Sequence, residues 1–269
     1  MTDLVETYAE ALSSFRALAA SLQPDDWSRS TECPGWDVHD QIAHVVSLEF
    51  ELAGQPLAVA LTAYGPHVRN PVGERMENGV DALRALSPTE LLARLGPACE
   101  QHLAQLRDPG LDLEAPVLGP RNTLLPLREL LPLRVFDVWT HEQDIRRAVG
   151  RPGAFGAAAA QVAVDRVVGS LPYVIGKALG APAGTSVAFD AAGELPVAVL
   201  VTVGVDGRAQ ATSGTPGRPA GDADITLWTS TETLLRLACG RIDPATAPVE
   251  LTGDRQLGLR LLEVMAITP

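Results

Sequence analysis

Apolar residues recur every three or four positions in the first half of the chain, which is the spacing of one helix face. In the first such segment, from Asp3 to Leu22, the repeating positions are Leu4, Tyr8, Leu12, Phe15, Leu18 and Leu22. Three further segments of helical character span residues 37–54, 87–106 and 124–149, and a stretch rich in proline and glycine, residues 55–79, follows the first of them. The pattern predicts a bundle of four long helices before residue 150.

The pattern changes beyond the sequence Gly150-Arg151-Pro152-Gly153. One more helical segment is predicted over 157–179, followed by strands over 186–189, 197–205, 209–212 and 225–229 and helices over 231–239 and 255–266. Turn-forming Gly, Asp and Pro separate the predicted strands. The second half is therefore expected to be a smaller α+β domain, and the expected domains are residues 1–153 and 154–269.

Composition and charge limit the binding partners and the cellular compartment that we expect for this protein. The formal net charge of −12 disfavours binding to nucleic acid or to anionic lipid, and no apolar run is long enough to cross a bilayer. The three cysteines have no CxxC spacing, which argues against a disulfide framework or a cysteine-based zinc site. The first residues lack the basic and apolar regions of a secretory signal. We therefore expect a cytoplasmic protein without nucleic-acid or membrane partners.

A polar stripe runs along the fourth predicted helix. In the sequence FDVWTHEQDIRRAVG, Asp137, His141 and Asp144 follow one another at offsets of four and three, which places them on one helix face. Most other positions of this helix are apolar: Leu131, Val135, Phe136, Val138, Trp139 and Ile145. The stripe should thus point inward or into a cleft, where a carboxylate beside an imidazole needs compensation. A divalent metal is the most economical compensation.

The second predicted helix repeats the same combination. Its sequence HDQIAHVV places Asp40 and His44 four residues apart, so two helices of one bundle could supply metal ligands. The alternative is that Asp137 and His141 form an ordinary ion pair and that His44 is a hydrogen-bonded core histidine. The residues alone leave both interpretations open.

The motifs CPGWDVHDQIAHV and RVFDVWTHEQDIRRAVGRPG resemble those of DinB-like metal-binding bundles, and most closely the mycothiol-dependent maleylpyruvate isomerase family of actinobacteria. The tail, from ADITLWTSTETLLRLACGRIDP to the end, is similar to the C-terminal domain of that family, which has a sterol-carrier-like form. The resemblance implies a DinB-like four-helix bundle followed by a smaller α+β C-terminal domain.

The resemblance also implies a ligand set. His44, Asp137 and His141 occupy the positions that hold a divalent metal, usually zinc, in the family. The family commonly has glutamate at the position of Asp137. Aspartate is shorter by one methylene group, so the substitution could weaken metal binding or alter the metal preference.

Two imidazoles and one carboxylate leave zinc an open coordination position, as in catalytic sites. A bound thiol would be held there as a thiolate, and a bound water would supply hydroxide. The resemblance implies a thiol, mycothiol, which would add to a cis-enoyl acid and leave after bond rotation, or stay attached to an electrophile in an S-transferase. A metal-dependent hydrolase and a non-catalytic small-molecule-binding module remain alternatives.

Four further residues are candidates for supporting roles. Asp144 and Asp40 could each accept a hydrogen bond from a liganding imidazole. Arg241 and Arg134 could each bind the carboxylate of an anionic substrate. The alternative for all four is a surface charge or a structural ion pair.

Overall fold

The computed structural model describes residues 3–57, 61, 63–120, 123–217 and 223–268. The chain divides into two compact units, the first formed by Met1–Gly153 and the second by Ala154–Thr268. The first unit is helical, and the second is smaller and contains a sheet. This order of a helical region and an α+β region confirms the predicted fold class.

Five α-helices lie in the described part of the first unit: α1 (Leu4–Ala20), α2 (Val38–Leu52), α3 (Pro71–Arg84), α4 (Pro88–Leu106) and α5 (Leu127–Ala148). A short hairpin of β1 (Pro116–Leu118) and β2 (Leu124–Pro126) precedes α5. Helix α2 packs against α3, α4 and α5, and α1 packs against α4 and α5. Helices α2 and α5 therefore lie side by side, each with most of its residues buried.

Helix α3 begins within the proline- and glycine-rich stretch, residues 55–79, for which the sequence predicted no helix, and continues beyond it to Arg84. Asn70 caps its start by accepting hydrogen bonds from the backbone N–H groups of Val72 and Gly73. Its inward face buries Glu77, Val80 and Leu83. Gly79 lies close to α2, because a Cβ atom there would lie 2.5 Å from Ser47 Oγ and would require Ser47 to move. A local cap therefore starts this helix, and its inward face is buried where it packs against α2.

The second unit begins with α6 (Ala158–Tyr173), which continues into a π-helical turn, Val174–Ala178. Its sheet has the order β5-β4-β3-β6-β7, in which β3 and β6 are parallel and the other neighbours antiparallel. The strands are β3 (Ser186–Ala192), β4 (Val197–Val203), β5 (Ala209–Ser213), β6 (Ile225–Ser230) and β7 (Glu250–Gly253), with helices α7 (Thr231–Ala238) and α8 (Arg255–Glu263). The four-residue edge strand β7 escaped prediction because its residues are mostly exposed and too few to show alternation.

No helix among the described residues is both long enough and apolar enough to cross a membrane.

Candidate metal centre

His44 of α2 meets Asp137 and His141 of α5 at the contact between the two helices. His44 Nε2 lies 3.2 Å from Asp137 Oδ2 and 3.5 Å from Oδ1. His141 Nε2 lies 3.7 Å from Asp137 Oδ1, and one ligand atom of each residue lies within 4.8 Å of the others. Nitrogen and oxygen ligands around tetrahedral zinc are about 3.3 Å apart, given bond lengths near 2.0–2.1 Å. The donor atoms and their separations therefore fit one divalent ion.

The two imidazoles are buried, whereas 29% of the Asp137 side chain is exposed. The Trp36 indole packs beside both rings at a tilt, with its centroid 5.0 Å from that of His44 and 5.8 Å from that of His141. Trp36 Nε1 donates to Glu77 Oε2 at 2.8 Å, which fixes the indole. The cluster is thus walled by an aromatic ring and open to solvent beside its carboxylate.

Burial and charge prepare these groups to bind a cation. Burial lowers the pKa of His44 to about 4, so this imidazole is neutral near pH 7. Burial alone would raise the pKa of Asp137, but Arg134 and the two imidazoles outweigh it and hold that pKa well below its usual range. A neutral imidazole and an ionised carboxylate are the protonation states in which these residues bind metal.

Gln41, which the sequence analysis did not single out, orients His141. The Thr31 hydroxyl donates to the Trp36 carbonyl at 2.7 Å and accepts from Gln41 Nε2 at 2.8 Å. This arrangement turns Gln41 Oε1 towards His141 Nδ1, with which it forms a short hydrogen bond. An amide oxygen only accepts, so Nδ1 carries a proton, and in the neutral imidazole the lone pair then lies on Nε2, facing Asp137.

The two predicted imidazole-orienting aspartates lie in different surroundings. Asp144 is buried, with Oδ2 3.6 Å from His141 Nδ1 and Oδ1 2.7 Å from Arg147 Nη2. Asp40 instead accepts from Arg84 Nε at 3.0 Å, while His44 Nδ1 is buried and has no hydrogen-bond partner among the described residues. Asp144 is therefore close to the imidazole it was expected to support. The contact found for Asp40 is with an arginine, and both roles stay predictions.

The two candidate arginines also have protein partners. Arg134 is buried, and its Nη1 donates to Asp137 Oδ2 at 2.8 Å while its Nη2 donates to Glu49 Oε1 at 3.2 Å. Arg241, in the second unit, donates from Nη1 to the Cys239 carbonyl at 2.9 Å. The predicted binding of a substrate anion by either residue stays a prediction.

Glu49 is a second residue that the sequence did not reveal. It lies on α2, five residues after His44, and is completely buried. Besides Arg134, it is bonded to the Tyr8 hydroxyl through a short contact and to His102 Nδ1 at 2.8 Å. Its partners come from α1, α4 and α5, so no local spacing in the sequence points to it.

The fold and the cluster together define a class: a helical bundle with a candidate metal centre, followed by an α+β unit. Residues 8–146 match the family model described as the mycothiol maleylpyruvate isomerase N-terminal domain, and residues 161–260 match the C-terminal domain of the same family. The chain therefore belongs to the mycothiol-dependent maleylpyruvate isomerase family, which confirms the resemblance recognised in the sequence.

Two solved structures are similar over most of the chain. One is a crystal structure of the mycothiol-dependent maleylpyruvate isomerase, with a TM-score of 0.59, 16% identity and coverage of 93% of this chain and 92% of that one. The other is a variant of that enzyme with a histidine replaced by alanine, with a TM-score of 0.56, 15% identity and 89% coverage of each chain. These likenesses establish the fold. No curated protein matches the chain.

Proposed function

We propose that this protein is a metal-dependent enzyme that uses a low-molecular-weight thiol, mycothiol, as its nucleophilic cosubstrate. The reaction is the cis–trans isomerisation of a maleylpyruvate-type cis-enoyl acid, or transfer of the thiol to an electrophile. The observation that carries the proposal is the meeting of His44, Asp137 and His141 in a buried cluster with one exposed side. Membership of the isomerase family supports the thiol as the bound nucleophile.

In this proposal, His44 Nε2, a carboxylate oxygen of Asp137 and His141 Nε2 would hold the ion, which we expect to be zinc. When bound, the ion would supply a positive charge that keeps a thiol in its reactive thiolate form. Gln41 keeps the proton of His141 on Nδ1, away from the ion. Arg134 holds Asp137 through a hydrogen bond, and Trp36 packs against both imidazoles.

The first test is the metal content of the purified protein, without affinity-tag histidines, measured by elemental mass spectrometry. We expect about one equivalent of a divalent metal, because the cluster offers three ligands and an open position. His44→Ala and His141→Ala should each abolish stoichiometric metal binding while the helical circular dichroism signal persists. His39→Ala is the control, because this histidine is on the same helix as His44 but bonds to the Leu86 carbonyl.

Turnover then separates the chemical alternatives. Metal- and thiol-dependent conversion of a cis-enoyl acid to its trans isomer supports the isomerase, and a stable thiol adduct supports the S-transferase. Hydrolysis that requires the metal but no thiol would contradict both the isomerase and the S-transferase and would identify a hydrolase. If reconstitution with metal gave no binding, the metal-dependent enzyme would be refuted in favour of a small-molecule-binding module.

A further inference from the structure

A network of charged and polar side chains lies in the bundle core next to the candidate metal ligands. Glu49 of α2 is at its centre, bonded to Tyr8 of α1, His102 of α4 and Arg134 of α5. All four residues are buried. Together they connect four helices of the first unit through a single carboxylate.

Stability alone gives no reason for this arrangement. Burying a carboxylate and a guanidinium removes both from water, and an apolar pair of similar volume is often as stable or more so. Burial by itself would raise the pKa of Glu49, but His102, Arg134 and Tyr8 reverse the effect and hold that pKa below its usual value. Glu49 therefore stays ionised in the core at neutral pH, beside a guanidinium that also contacts a metal ligand.

The guanidinium of Arg134 connects Glu49 to the cluster. One terminal nitrogen bonds to Glu49 Oε1 at 3.2 Å and the other to Asp137 Oδ2 at 2.8 Å. With Oδ2 held in this way, 3.2 Å from His44 Nε2, the other oxygen of Asp137, Oδ1, lies between the two imidazoles, 3.5 Å from His44 Nε2 and 3.7 Å from His141 Nε2. A short aspartate side chain is thereby held in a defined orientation towards both histidines.

Charge leads to the same conclusion. Asp137 and Arg134 alone would form a neutral pair, and a neutral pair attracts a dication poorly. Glu49 adds a second carboxylate on the far side of the guanidinium, so Arg134 bonds two acidic side chains rather than Asp137 alone. The network thus offsets the positive charge of Arg134 while keeping its hydrogen bond to Asp137.

We propose that Glu49 is a positioning residue for the metal centre: it holds Arg134, which directs Asp137 Oδ1 towards His44 and His141. The inference rests on the proposed function, because it concerns the affinity and coordination of the ion in that site. It assigns to Arg134 the orientation of a ligand rather than the binding of a substrate anion.

Glu49→Gln tests the proposal, since it keeps the size of the side chain and removes its charge. Its matched control is Glu142→Gln on α5, because Glu142 is also buried and paired with an arginine, Arg146, at 2.7 Å. The measurements are the dissociation constant for zinc, by competition with a chelator, and the visible absorption spectrum of the cobalt-substituted protein. We expect Glu49→Gln to weaken zinc binding about 10- to 100-fold, as losses next to metal ligands do, and to change the cobalt spectrum.

Arg134→Lys is the second variant, and it tests the positioning role of the Glu49–Arg134 pair if Glu49→Gln does not fold. Lysine keeps the positive charge but lacks the planar fork that bonds two carboxylates at once. We expect it too to weaken zinc binding at least about tenfold.

The outcomes separate the two proposals. If the wild-type protein binds zinc and the folded Glu49→Gln and Arg134→Lys variants match it in affinity and cobalt spectrum, the positioning role is overturned and the proposed function stands. An equal loss of affinity in Glu142→Gln would also overturn it, because any buried charge would then have the same effect. Failure of the wild-type protein to bind metal would overturn both proposals.

Discussion

Charged side chains are buried in the helical unit and almost excluded from the interior of the sheet unit. Among the described residues of the first unit, the buried acids, histidines and arginine are Asp26, Asp40, Asp144, Glu49, Glu77, Glu142, His44, His102, His141 and Arg134. In the described part of the second unit, the buried polar residues are four threonines and Asp190. Because buried charge rarely adds net stability, this difference supports the proposal that the first unit carries the chemistry, whereas the second unit has a conventional apolar core.

The largest expected effect tests the apolar core of the second unit. Phe189 of β3 is 1% exposed and lies opposite Val199 of β4 and Leu227 of β6. Phe189→Ala should lower the free energy of unfolding by about 3–5 kcal/mol, because it leaves a cavity in the sheet core. Urea denaturation followed by circular dichroism measures this loss.

Leu259→Ala on α8 is the control, since this leucine is exposed and should cost about 0.5 kcal/mol or less. If residues 1–153 and 154–269 are separate domains, as we propose, zinc affinity should stay within about twofold in the Phe189→Ala variant. A large loss of zinc affinity would contradict this division of roles.

The next largest effect concerns the buried polar groups of the first unit and is measured as a change in stability with pH. The pKa of His44 is about 4 in the folded protein because of burial, against about 6.5 in the unfolded chain. As pH falls from 6.5 to 4, the unfolded chain gains a proton that folded His44 does not, so stability falls with pH. The full loss, present below pH 4, approaches about 3 kcal/mol by this linkage.

The measurement is the free energy of unfolding of chelator-treated protein at several pH values between 4 and 7. The same series on His44→Gln provides the reference, because glutamine does not titrate. The free energy of unfolding of the wild type minus that of the variant should decrease steadily as pH falls through this window. Parallel curves for the two proteins would show that burial does not depress the pKa of His44.

Sequence reasoning predicted the elements whose periodicity is strong and missed those that depend on distant contacts. Helices α2 and α5 carry regular apolar positions, and both were predicted within a few residues of their observed ends. Helix α3 was missed because its glycines and its proline-rich approach resemble a loop. The burial of Val80 and Leu83 depends on the packing of α3 against α2, and the sequence of α3 alone does not reveal that contact.

The same distinction applies to the site. We could recognise His44, Asp137 and His141 because the sequence itself shows metal-ligating residue types at helical spacing. Gln41 and Glu49 could not, since their partners lie 100 and up to 85 residues away on other helices. A spacing pattern shows which side chains share a helix face but not what the neighbouring helix presents to them.

The smallest expected effect compares one helix cap in each unit. Asp37 Oδ1 accepts from the Asp40 backbone N–H at 2.9 Å at the start of α2, and Ser230 Oγ accepts from that of Thr233 at 3.0 Å at the start of α7. Asp37→Ala and Ser230→Ala should each lower the free energy of unfolding by about 1 kcal/mol, because each leaves a helix N–H without its acceptor.

Zinc affinity distinguishes the two caps more sharply than stability does. Neither cap touches His44, so neither replacement should change the zinc dissociation constant by more than about twofold. A loss confined to Asp37→Ala would mean that the first turn of α2, which carries Gln41, controls the centre as strongly as the Glu49 network. In that case the orientation of His141 by Gln41, rather than of Asp137 by Arg134, would be the contact that limits metal binding.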